Sequence, residues 1–583
     1  MKWKKRVSVI LAAAVMAASA LTGCGGGKAA GGAASAAGGS AAPDGTVSSE
    51  AVSHDSEMTF DIYDLSANYQ GEQSGWYAKV LKDKFNLKLN IIAPQVSGDA
   101  NALYQTRASS GNLGDIVILE NKDFVECVKA QLVQDITDPI ENSTNIKEYL
   151  EQIKEFNSQI SGADGKLYGI PCEMTNTSPS TYTDQKLSSS PQLPWDYYTA
   201  LGAPELKDLD DLLNVLVEMV KKYPTNSTGD KAYGLSLWKD WDSTSIENVN
   251  QITKWYNEEV KGSILLSGDG TMKALTDETG AYYKMLHFLY KANQMGLVDP
   301  DSATQKWDDA CTKMKNKRVY LFWYNWQQGF WNTTDKAQKG DGYICIPVAD
   351  TKIYQPSDSY YGDGRVWGVG SKVDGEKFAR IMEFIDWYAS PEGLTYQHAG
   401  MKDYNYTVND DGTYTRINED ALMTNKPVPD ELGGGGFNDG NNTINQWIVA
   451  SISTNPVTKE TYVPDYWSST LKKNDNKLNQ EWAEKYGAKN QIEYMQNHNT
   501  LSIVANVNPI LPDDSTDIQL VRSQCGDEVC AASWKMIFAK DDAQFEQIWN
   551  EMKNTLQGLK WDTLVNFDKQ KYQTIVDMRK AAE

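Results

Sequence analysis

The chain has 583 residues, of which 40% are apolar and 23% charged, and its formal net charge is −22. That length leaves room for roughly two to four domains. That acidity excludes nucleic acid as a partner, because binding phosphate needs a basic footprint.

Lys2, Lys4, Lys5 and Arg6 precede an apolar run over 7–21, too short for a membrane span of about 20 residues. A charged start, a short apolar run and small residues at the end predict a secretory signal over 1–23. Leu21-Thr22-Gly23-Cys24 resembles the lipobox of bacterial lipoproteins, which implies cleavage before Cys24 and acylation, as with palmitate, at that residue. An ordinary secretory signal with an incidental cysteine is the alternative. Loss of the four cations would take the charge from −22 to −26. In 25–42 every residue but Lys28 is Gly, Ala or Ser, and 43–57 is polar without periodicity. Residues 24–57 therefore read as a lipid-anchored tether with a reach of about 30 Å. More than one acyl chain would hold it stably to the outer face of a bacterial cell membrane.

The body begins near 58, and no later apolar run approaches membrane length. Thr59–Tyr63 alternates as a strand should, Gly75–Phe85 has helical spacing, Leu87–Ile92 alternates again, and Asp115–Leu119 is continuously apolar. That order predicts an α/β fold built on a parallel sheet, with ligands taken by loops at strand ends. Lys207–Lys222 predicts a helix capped by Asp208, with Leu209, Leu212, Leu213, Leu216 and Val220 on one face. Val319–Phe322 reads as a strand. Glu376–Tyr388 predicts another helix, stopped by Ser390-Pro391-Glu392-Gly393, and Val408–Thr415 a hairpin around Asp411-Gly412. Six cysteines follow Cys24; a Cys525–Cys530 bridge and free thiols are both open readings. With 31 Tyr and 18 Trp against 13 Phe, the aromatics favour a partly wet recognition surface over a dry core.

Ser109-Ser110-Gly111-Asn112-Leu113-Gly114-Asp115-Ile116 resembles the "SGDLPDI" element of family 1 extracellular solute-binding proteins, the sugar-binding group of ABC transporters that includes maltose-binding protein. Gly114 stands where that element has proline. Gly165-Lys166-Leu167-Tyr168-Gly169-Ile170-Pro171 matches "GKLYGIP", and Asp386-Trp387-Tyr388 through Gly393 matches the "DW…SPEG" helix end. The resemblance implies a two-lobed periplasmic-binding-protein-like fold with a hinge and an interlobe cleft. One lobe would hold 58–172 and about 366–410, the other 173–365 and about 411–583. It implies a monomer that delivers an oligosaccharide or another small-molecule ligand to ABC permease subunits. No cofactor is expected, and no metal ligands are assigned, since Asn409-Asp410-Asp411-Gly412 lacks the later glutamate of a calcium loop.

The segment Arg318–Asn332, RVYLFWYNWQQGFWN, poses the central question about the site. The resemblance places a cleft loop after the Val319–Phe322 strand, which makes Trp323 and Trp326 the first candidates to stack on sugar; a buried helix face formed with Phe330 is the competing reading. Glu120, Asn121 and Asp123 follow the Asp115–Leu119 strand and offer acceptors for hydroxyls. Trp238, Asp240 and Trp241 follow an apparent strand at Tyr233–Leu237 and fit either a sugar clamp or a surface turn. Arg365 and Trp367 fall where the chain recrosses, and Asn68 and Tyr69 follow the first strand. No G-x-S-x-G, H-E-x-x-H or P-loop occurs, and His54, His287, His398 and His498 are isolated, so no enzyme is expected. A surface glycoside hydrolase or lyase, needing only two carboxylates, and a sugar sensor without transport are the alternatives.

Overall fold

The structure, a computed structural model, describes residues 52–582 apart from 68, 97–99, 161, 185, 418–426, 437–443, 445 and 474. Met58–Asp64 forms the expected first strand, and Leu87–Ile92 and Ile116–Glu120 pair with it in parallel on either side. The helix Gly75–Phe85 joins the first two and buries Trp76, Tyr77, Leu81 and Phe85. Side chains alternate across a strand, so Ile116 and Ile118 enter one core while Val117 and Leu119 enter another on the opposite face. Glu120, the last residue of that strand, is exposed.

The sheet is mixed rather than wholly parallel. Arg365–Val369 runs antiparallel to Ile116–Glu120, Gly169–Pro171 runs antiparallel to Arg365–Val369, and the short strand Gly71–Glu72 is antiparallel at the far edge. Local strand–helix–strand connections impose parallel pairing; the returning strand arrives from a distant crossing and is free of that constraint. Gly169 and Gly368 face each other across this pairing. A β-carbon on either would come within 2.7 Å of the Phe124 ring. Two glycines thus make room for Phe124, which seats the helix Asn121–Lys129 on the sheet.

A second core surrounds Ser189–Pro194, which lies between Phe322–Tyr324 and Tyr343–Cys345 and is antiparallel to both. Tyr233 and Leu235 make single bridges to Val319 and Val298. The helix Leu209–Lys222 packs here. The Asp208 carboxylate accepts hydrogen bonds from the Asp210 and Asp211 amides, and Met219 joins Leu209, Leu212, Leu213 and Leu216 on the buried face, leaving Val220 half-buried. The long helices Thr516–Ile537 and Asp542–Gly558 complete this core.

The chain leaves the first core through 172–188 and returns through 357–364. It does not depart again near 411, as the resemblance implied: Val428, Ile444, Ile448, Val449 and Tyr462 pack in the first core, and Leu478 and Trp482 in the second. The Glu173 and Met174 amides donate to the Trp447 and Ile448 carbonyls, fastening this stretch beside the crossing. Segment 505–513 runs from the second core back to the first: the Ile510 amide donates to Gln159 Oε1 at 2.9 Å, and Lys122 pairs with Asp513 at 2.6 Å.

Smaller expectations meet mixed outcomes. The helix Gly375–Tyr388 stops where predicted, but Ser390 then caps a further helix, Pro391–Ala399, through its hydroxyl and the Gly393 amide. Tyr406–Val408 and Tyr414–Arg416 form the hairpin. All six cysteines of the body are free thiols. Cys525 and Cys530 share one helix and point about 140° apart around it, which forbids a bridge. No helix among the described residues is long and apolar enough to cross a membrane.

Candidate functional site

The opening question about Arg318–Asn332 resolves into two layers of rings. The strand expected over Val319–Phe322 lies instead at Phe322–Tyr324, with Val319 in a single bridge, and it turns directly into a 3-10 helix, Asn325–Phe330. Buried Gln327 fixes that turn, its Oε1 accepting from the Trp323 and Tyr324 amides, both at 3.0 Å. Trp323 points inward, 1% exposed, stacked on buried Trp238 with centroids 5.4 Å apart and planes 9° from parallel. Trp326 points outward and is 49% exposed. Around it stand Tyr324 at 5.1 Å, Trp307 at 5.4 Å, Phe330 at 5.9 Å and Trp241 at 6.4 Å, centroid to centroid. Trp241 is itself 37% exposed and lies 4.6 Å from Trp307.

Polar contacts set these rings. Asp240 accepts from the Trp307 amide at 2.8 Å, so it holds the start of the helix Trp307–Lys315. Asp242 accepts from the Glu247 amide at 3.0 Å and from Trp534 Nε1 at 2.7 Å, which ties the Trp241 loop to the helix Thr516–Ile537. The Tyr324 hydroxyl donates to Glu247 at 3.1 Å, and burial together with that carboxylate pushes the phenol well above its ordinary pKa.

Register places this wall. Tyr324 lies opposite Ser189, the first residue of the strand by which the chain enters the second core. The Ser188 amide donates to Gln355, in the strand Ile353–Pro356 that leads out of it. The exposed rings therefore sit at the end of the second lobe where the chain crosses over.

The first lobe meets the same crossings with charge. Arg365 is the cross-strand partner of Glu120. Arg365 Nε donates to Asp363 at 2.8 Å, and the Asp363 amide donates to the Cys172 carbonyl. Partial desolvation at the strand end raises the Glu120 carboxyl, opposed by Arg365. Burial pushes Glu173 up to about 8, and Asp64, which is fully buried, up to about 8 as well, each again opposed by Arg365. Asp64 Oδ1 accepts from the Ser66 amide at 2.8 Å, while its Oδ2 has no hydrogen-bond partner among the described residues. Tyr63, Leu65, Tyr104 and Asp123 line an adjoining pocket of about 330 Å³.

The structure thus separates the predicted residues. Trp326 and Trp241 lie in the exposed aromatic wall. Trp323 and Trp238 form its buried backing and present no face to solvent; Phe322, the residue before Trp323, is buried too, stacked on Tyr343. Trp367 is also buried, packed 5.1 Å from Tyr388 in the first core; it shares a strand face with half-exposed Arg365 but lies further into the sheet. Asp240 is occupied in capping. Glu120 and Asp123 are exposed at the strand end, whereas Asn121 is half-buried with its amide on the Asn508 carbonyl at 3.3 Å. Tyr69 is half-buried, its hydroxyl donating to the Glu72 carbonyl at 2.6 Å; Asn68 and Cys24 lie outside the described residues. Sequence reasoning missed Trp307, Tyr324, Asp64, Glu173 and Asp363. Asp363, two residues before Arg365, was the most readable of them; nothing local marks Trp307. Among the described residues no group of three or more His, Cys, Asp or Glu is placed to hold a metal ion.

Two α/β lobes with chain crossings between them, and exposed side chains gathered at those crossings, describe a solute-binding fold. The family model for bacterial extracellular solute-binding proteins matches residues 67–395, more than half of the chain, and the chain belongs to that family. A search of curated proteins returned no match. Among solved structures, the chain is similar to a Streptococcus pneumoniae ABC-transporter substrate binding protein, FusA, in complex with kestose, at 13% identity and a TM-score of 0.57, covering 89% of this chain and 100% of that one. It is equally similar, with 13% identity and a TM-score of 0.57, to an HMO-binding, ABC-transporter-associated solute binding protein from Bifidobacterium longum infantis, over 89% of this chain and 99% of that one. An alginate-binding protein, AlgQ2, solved without calcium ion, matches at 14% identity and a TM-score of 0.54, over 90% and 100%. At such identities the likeness establishes the two-lobed α/β fold.

Proposed function

We propose that this chain is the substrate-binding lipoprotein of an ABC importer, capturing an oligosaccharide or related glycoside between its lobes and delivering it to membrane permease subunits. The observation that carries this reading is the aromatic cluster at the crossing end of the second lobe, in which exposed Trp241 and Trp326 stand beside half-buried Trp307 and Tyr324. Indole faces suit the apolar C–H faces of a pyranose, and the carboxylates on the opposite lobe suit its hydroxyls. Family membership and the sugar-bound relatives support the same ligand class. Ligand would bias the two lobes toward a closed arrangement that the permease recognises. Cys24 would carry the lipid that keeps a monomeric receptor at the outer face of the cell membrane, and the ligand would leave chemically unaltered.

Thermal unfolding against a panel of neutral oligosaccharides, followed by product analysis, tests this. A ligand that binds the native state raises its melting temperature, and the sugar should be recovered intact. Cleavage of the sugar, or no shift with any glycan, would overturn the reading.

A further inference from the structure

The first-lobe wall says what kind of glycan the site would take. Asp64, Glu120 and Glu173 stand where Met58–Asp64, Ile116–Glu120 and Gly169–Pro171 end, and Asp363 stands just before Arg365–Val369 begins. Asp123 follows one turn beyond Glu120. The cation that bears on them, Arg365, is already hydrogen-bonded to Asp363. Lys122, next along the exposed edge, is paired with Asp513 at 2.6 Å. Asp64, fully buried, lies behind this wall and adds to its acidity without an exposed atom.

We infer that the site takes glycans without anionic groups and turns away uronate-, sialate- and sulfate-bearing sugars of the same length; the inference rests on the glycan-binding reading above. An anionic sugar entering this wall would lose hydration without gaining a free cation, and would face several carboxyls. Those carboxyls that burial keeps protonated can donate or accept a hydrogen bond but supply no countercharge. The chain's net charge of −22 repels anions at longer range. The aromatic wall, in contrast, stacks on neutral and anionic sugars alike, so selection falls to the acids.

Calorimetric titration of the full-length protein with cello-, malto-, manno- and lacto-series trisaccharides, each beside its C6-oxidised uronate counterpart, decides the matter. For any series that binds, the uronate should bind about a hundredfold more weakly, as like charges brought together at an interface require. Equal or tighter binding of the uronate overturns the inference while leaving glycan binding intact; failure of every sugar in the panel overturns both. In Asp363→Asn, Arg365 loses its counter-charge, and the gap between the neutral and oxidised sugars should narrow about tenfold. A gap unchanged in that variant would show that these acids are not its source, which also overturns the inference.

Discussion

The second-lobe wall presents Trp241, Trp307, Tyr324 and Trp326, whereas the first-lobe wall presents Glu120, Glu173 and Asp363 around Arg365, with Asp64 buried behind them, and the two are held in place differently. The rings rest on a buried layer, Trp238 stacked on Trp323, so their positions depend on core packing. The acids hang from strand ends and crossing peptides, such as the Cys172 carbonyl that receives the Asp363 amide. Rings supply contact area that is nearly indifferent to charge, and acids supply discrimination. Affinity and selectivity should therefore respond to different substitutions.

Trp323→Ala should produce the largest effect. Removing a fully buried indole leaves a cavity behind the wall and should destabilise the protein by about 3–5 kcal/mol, read as a large fall in denaturation midpoint. Trp326→Ala should do the opposite. Its ring is half in water, so stability should move by no more than about 0.5 kcal/mol, while affinity for a bound oligosaccharide should fall about thirtyfold, or about 2 kcal/mol. If the inner tryptophan weakens binding without touching stability, or the outer one unfolds the protein, the two-layer assignment is wrong.

The acid wall can be probed by pH. Burial raises the Asp64 pKa to about 8 in the folded protein, above the ordinary aspartate value. A carboxyl whose folded pKa is raised binds its proton more tightly in the native state. Its stabilising contribution is complete below the unfolded pKa of about 4 and is lost as pH climbs toward 8, by up to about 1.4 kcal/mol per pH unit. Melting temperature should accordingly fall between those limits, and Asp64→Asn, with no charge to bury, should flatten the slope. Parallel slopes for the two proteins would mean that Asp64 has found a cation.

The division between these layers also marks how far the sequence could be read. Periodicity located Met58–Asp64, Gly75–Phe85, Leu87–Ile92 and Leu209–Lys222 to within a residue or two, because each buries one face and its pattern is local. The tryptophans over 323–331 were legible as a group, but not which of them faces water: that depends on whether the strand continues one residue past Trp323, and Gln327, four residues on, settles it by receiving two amides. Trp307 joins the wall from a helix with no sequence link to the others. The return of Val428–Tyr462 to the first core escaped for the same reason, since its fastening to Glu173 and Met174 is a backbone contact across more than 270 positions of chain.

The smallest expected effect concerns the link between the lobes. Lys122 and Asp513 are both largely exposed, so Lys122→Ala should change stability by about 0–1 kcal/mol. Gln159→Ala removes the acceptor for the Ile510 amide, a partly buried bond, and should cost about 1 kcal/mol. If this order holds in denaturant titrations, segment 505–513 is docked on the first lobe by backbone hydrogen bonding and by Ile510 packing against its core. The reverse order would make the charge pair the clasp. Added salt should then weaken the docking, because screening acts on exposed ions and leaves a buried amide–carbonyl contact almost untouched.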